Sequence, residues 1–136
     1  MMKRAIITTN LSEGGAVESS YAAIIADYLH SVAEWRRRRA AEEPHEPRHR
    51  RAAAFLDELA GYVASTPNED QRIVDIGRAT RQGEIIVPGP ILANAVARFG
   101  FYEDEISLDA LLTRMADLAI EDRGQAGIDP LRDLPF

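Results

Sequence analysis

Two Glu-x-x-His spacings, Glu42 to His45 and Glu46 to His49, bring together residue types that can ligate a metal. On a continuous helix this spacing puts both side chains on one face, as in the carboxylate–histidine sites of di-iron bundles. Here Pro44 falls inside the first pair and Pro47 inside the second, and a proline removes an amide donor and breaks helical geometry. His30 and Glu34, four residues apart, fit a surface pair better than a ligand set. The ligand types occur without supporting geometry, so neither a metal nor a cofactor is expected.

The same stretch, EWRRRRAAEEPHEPRHRR (34–51), offers a second chemistry. Arg36, Arg37, Arg38, Arg39, Arg48, Arg50 and Arg51 are seven of the sixteen basic residues in an acidic chain. Arginines in this density can neutralise phosphates and give a salt-sensitive contact with nucleic acid. Four consecutive arginines on a helix point about 100° apart, however, and cannot all face one groove. Glu42, Glu43 and Glu46 would repel phosphate. Trp35 is the one nearby ring for base stacking, and its position on the apolar stripe suggests burial. A solvated joint between two helices is the expected reading. There Arg36 to Arg39 occupy the last helical turns, where cations suit the dipole.

Covalent and acid–base catalysis find less support. The chain has no cysteine, which excludes disulfides, thiolate metal sites and cysteine nucleophiles. Its serines lack a nucleophile elbow, and Gly14, Gly15 and Gly83 belong to no phosphate-binding loop. Glu103, Asp104 and Glu105 precede a helix cap, where a solvated acidic turn is expected. No catalytic site is assigned.

These residues must be positioned by helices. From about Ala16 to Glu43 the apolar residues recur in steps of three and four, predicting one long amphipathic helix. Pro44 and Pro47 end it, and a second helix from Pro47 to about Ala64 makes an antiparallel hairpin. Thr66 is the expected cap of a third helix that fades near Gly83. Glu84 to Val87 reads as a short strand, pairing with Ile6 and Ile7, or as a linker. Pro90 to Phe99 forms a short helix, and Ser107 caps a last one that Gly124 can end. The predicted fold is mainly α. Four to five helices are built around the N-terminal hairpin, with at most a two-stranded β element. One helical domain over 1–136 is expected, with 125–136 an extended tail.

The 136 residues carry 46% hydrophobic and 28% charged side chains, ordinary for a globular protein. The N-terminus lacks the apolar core and cleavage site of a signal peptide, and no stretch nears the roughly 20 apolar residues of a membrane span. A cytoplasmic, membrane-free protein is the expectation. The net charge of −6 hides an uneven distribution: residues 36–51 sum to +4 and the remainder to −10. Long-range attraction to a polyanion is therefore not a property of the whole molecule.

Two features point to protein contacts. Tyr21, Tyr28 and Trp35 recur every seven residues, and with Ile25 and Val32 they form a seam of the kind that joins helices in coiled coils. That seam serves either the chain's own core or a homo-oligomer. The tail residues Ile128, Leu131, Leu134 and Phe136 are apolar anchors spaced by proline and aspartate, suited to docking on another protein. The expected function is a non-catalytic, protein-binding accessory or regulatory protein acting as a helical homo-oligomer. The alternative is a small nucleic-acid-binding regulator using the arginines of 36–51.

Overall fold

Ser20 starts the first helix, α1 (Tyr21–Glu42): its hydroxyl accepts from the Ala23 amide at 3.1 Å. The Asn68 side chain accepts from the Ala22 amide at 3.1 Å, so two of the free donors at this end are satisfied. The computed structural model describes residues 20–102 and 107–127. The expected start near Ala16, the strand at Ile6–Ile7 and the tail anchors Ile128, Leu131, Leu134 and Phe136 lie outside them.

After the turn at Pro44–Pro47 the chain returns as α2 (Arg48–Ala64), packed along α1 as the expected hairpin. The seam is rich in small residues: Ala26, Ala33 and Ala40 on α1, Ala53 and Ala60 on α2, all buried. Small side chains let the two axes approach closely. Ile25, Leu29, Leu56, Leu59 and Val63 fill the rest, each fully buried and each contributing about 2 kcal/mol of hydrophobic stabilisation.

Thr66 does not cap the third helix. Its hydroxyl donates back to the Tyr62 carbonyl at 2.8 Å, and that of Ser65 to Gly61 at 2.9 Å, so both complete the end of α2. The cap of α3 (Gln71–Thr80) is Asp70, which accepts from the Arg72 amide at 2.9 Å. Local hydroxyl-to-carbonyl bonds compete with capping, and here they win. The strand at 84–87 shortens to β2 (Ile85–Ile86) and pairs antiparallel with β1 (Arg81–Gln82). A two-residue turn at Gly83–Glu84 closes this pair locally. The helices α4 (Pro90–Arg98) and α5 (Leu108–Gly127) follow; α5 runs past Gly124, the expected stop. Ser107 does cap α5, accepting from the Ala110 amide at 3.1 Å. Among the described residues, five helices and one small antiparallel pair thus make a mainly α fold, and one hydrophobic cluster draws on all five helices. No helix among the described residues is long and apolar enough to cross a membrane.

Helix α5 is tied to its neighbours by two polar devices. The carboxylate of Asp122, itself buried, accepts from the amides of Ile91 at 2.9 Å and Leu92 at 2.8 Å. It thereby caps α4, whose own N-cap residue, Gly89, offers no side chain. A β-carbon on Gly89 would stand 2.5 Å from the Asp122 carboxyl carbon, so glycine is what admits the carboxylate.

The second device is Arg72, which binds Asp70 at 2.9 Å and reaches Asp109 on α5 at 2.8 Å; Tyr62 also donates to Asp109 at 2.8 Å. Hydrogen bonds from Arg72, joined at Asp109 by that from Tyr62, hold both carboxyls below their usual range. A carboxyl whose folded value is depressed stabilises the fold above its unfolded value, near pH 4, and loses that contribution as pH falls through the folded value. The urea midpoint of the wild type should therefore fall more steeply between pH 5 and 3 than that of Arg72→Gln. Parallel slopes would refute the assignment.

Candidate binding groove

The four consecutive arginines diverge as helical geometry requires, and each meets a different environment. Arg37 turns to Glu34 and to Asp57 of α2, at 2.9 and 2.8 Å. Arg39 pairs with Glu42 at 2.8 Å and with Glu43. Arg38 is exposed and forms no ion pair among the described residues. Arg36 points inward and is 7% exposed, against the expectation of a wholly solvated joint.

The guanidinium of Arg36 lies 4.7 Å from the Trp35 ring centroid and 4.3 Å from that of Phe101. Planar cations gain from such faces when desolvated. Its Nη1 donates to Nδ1 of His49 at 3.0 Å and its Nη2 to the Ala97 carbonyl at 2.6 Å. Its Nε–H is buried and has no hydrogen-bond partner among the described residues. Burial pulls the guanidinium below its ordinary value; Tyr102 opposes this and Arg39 adds to it.

Because arginine can only donate, Nδ1 of His49 must be the acceptor and Nε2 must carry the proton. That proton faces Glu43 Oε1 at 3.3 Å. A chain therefore runs from Arg36 through buried His49 to Glu43, which also takes Arg39. Both ring nitrogens of His49 are engaged. Among the described residues no three His, Asp or Glu side chains gather as a metal site would require.

The far wall comes from α4 and the turn after it. Gly100 adopts φ +77°, where a β-carbon is strained, and such a carbon would also stand 2.8 Å from Phe55 Cβ. This turn aims Phe101 at Arg36. It is fastened by Arg51, which donates to the carbonyls of Gly100 at 3.1 Å and Phe101 at 2.7 Å. Arg48 stacks on Phe101 at 4.5 Å and binds Glu46 at 2.8 Å, holding that carboxyl down at about 2.

Between these walls lies an open groove of about 550 Å³. Four arginines (36, 39, 48, 98) and two glutamates (43, 46) line it, and Trp35 and Tyr102, 38% and 54% exposed, stand at its sides. Arg98 is exposed and forms no ion pair among the described residues. The expected polyanion set is thereby dispersed. Arg36, Arg39 and Arg48 meet in the groove, Arg37 and Arg50 flank a separate shallow hollow over Ala53 and Ala54, and Arg51 serves the turn.

The aromatic seam is likewise divided. Ile25 is core, and Tyr21, Tyr28 and Val32 are half-buried against it, with burial pushing the Tyr28 phenol up to about 12. Of the five, Trp35 alone is exposed.

Sequence reasoning missed Asn94, Arg98, Phe101 and Tyr102. The one local sign of them was an aromatic pair placed directly after Gly100. Compared with protein-family models, curated proteins and solved structures, the chain matches none, so the reading of this groove rests on its own residues.

Proposed function

We propose that this chain is a non-catalytic accessory protein that holds an acidic segment of another protein chain, a second copy of itself included, in the groove between the α1–α2 turn and α4. The observation that carries the proposal is the pairing of an exposed cation, Arg98, with exposed Trp35 and Tyr102 around an arginine-lined groove, on a chain whose net charge is −6. Aromatic and arginine anchors are the side chains that dominate protein interfaces. Arg36, Arg37, Arg39 and Arg48 already hold intrachain partners and Glu43 and Glu46 share the groove, so Arg98 carries the attraction for any anion. A salt titration with peptide and with nucleic acid separates the two readings. The occupied nitrogens of His49 leave it no free lone pair for general-base work, which supports a binding role.

Trp35 is the only tryptophan of the chain and lines the groove, so its emission reports on occupancy. An acetylated, amidated heptaglutamate peptide should shift that emission saturably at low salt, with affinity that falls as salt rises. Arg98→Glu should weaken it by about tenfold or more, the loss of roughly one charge-pair interaction. Light scattering at rising concentration tests whether a second copy supplies the segment: a dimer that Arg98→Glu dissociates is expected in that case. Duplex DNA or RNA binding with a salt slope, and no response to the peptide, would overturn the proposal in favour of a nucleic-acid regulator.

A further inference from the structure

Asn94, Arg98 and Tyr102 line two depressions at once: the groove above and a second one of about 480 Å³ on the other side of α4. The second has a different character. Its floor is Ile91, Ala95, Phe99 and Leu118, and besides the shared Arg98 it has a second cation, Arg114, in its lining. Arg114 is exposed and, like Arg98, forms no ion pair among the described residues.

We infer that the two depressions form one site, crossing α4 at Arg98, for an extended protein segment that carries carboxylates on both sides of a bulky aliphatic residue. This deepens the proposed function and rests on it. The reasoning is one of spacing and kind. A segment laid over the exposed face of α4 meets Arg98 on one side, with the already paired Arg39 and Arg48 behind it, and Arg114 on the other, so acids are favoured at both ends. Between these cations the surface falls into a half-buried aliphatic hollow made by Ile91, Ala95 and Leu118. A purely acidic chain would leave that hollow hydrated; an aliphatic side chain would remove apolar surface from water. Tyr102, 54% exposed, stands on the crossing, where its ring can cover the backbone of the segment. Nucleic acid offers no aliphatic side chain for the hollow, and a protein segment does.

Three peptides decide it, read by Trp35 emission on the full chain: heptaglutamate, and six glutamates around a central alanine or a central leucine. The leucine peptide should bind about tenfold more tightly than the alanine peptide, as expected for burying its additional carbons. Ala95→Leu, which fills the hollow, and Ile91→Ala, which thins its wall, should each abolish the leucine advantage while leaving heptaglutamate binding within about twofold; either variant suffices if the other fails to fold. Equal binding of all three peptides would overturn the two-part site and leave the acidic-segment function standing. An undiminished leucine advantage in both variants would overturn the assignment to this hollow. No binding of any peptide would remove the function itself.

Discussion

Asp122→Ala is expected to lower the unfolding free energy by about 3 kcal/mol, since it removes two hydrogen bonds from backbone amides to a buried carboxylate. The change also strips α4 of the side-chain cap that Gly89 cannot supply. Asp122→Asn should cost less but still be measurable. Its amide oxygen can accept one bond, while its NH2 group would face the other N–H as donor to donor. Urea unfolding monitored by circular dichroism gives both values. The carboxylate is not the cap if alanine costs under about 1 kcal/mol, the scale of an ordinary surface change.

The second large effect belongs to Arg36. Arg36→Ala should cost about 2 kcal/mol, from the lost bonds to His49 and Ala97 and the lost contacts with Trp35 and Phe101. The opposing term is dehydration of the guanidinium, which removal of the charge relieves. Arg36→Met separates the two. Methionine keeps apolar bulk between the rings but leaves the His49 nitrogen and the Ala97 carbonyl without a donor. An intermediate loss is expected. A methionine variant more stable than the wild type would mean that the buried charge is a net cost to the fold, and the bonding account of Arg36 would fail. Lysine is no substitute, since a single ammonium lacks the planar fork that serves two acceptors while stacking on rings.

Much of this fold is legible in the sequence because its causes are local. The three- and four-residue spacing of α1, the break at Pro44 and Pro47, and the Ser107 cap each depend on a few adjacent residues. Where local bonds compete the reading fails, as at Thr66, whose hydroxyl has two carbonyl-rich or amide-rich neighbours to choose from. The groove was legible in only one respect: four adjacent arginines cannot share a face. Which of them turns inward is decided by Phe101, 65 residues further along the chain, and by a glycine turn whose φ no periodicity reveals. The Asp122 cap is hidden for the same reason. Its partners are 30 and 31 residues away, and nothing near either end marks the pairing.

That separation makes one wall of the groove depend on a distant part of the chain. As the chain lengthens, α1 and α2 can close their alanine seam with every residue they need already present. Helix α4 has its sequence early, but its first amides find their acceptor only once residue 122 has been made and α5 has turned back across α3 and α4. The wall of the groove that α4 supplies is therefore fastened from a point some thirty residues further along the chain, and a change in α5 can reach the groove without touching its lining.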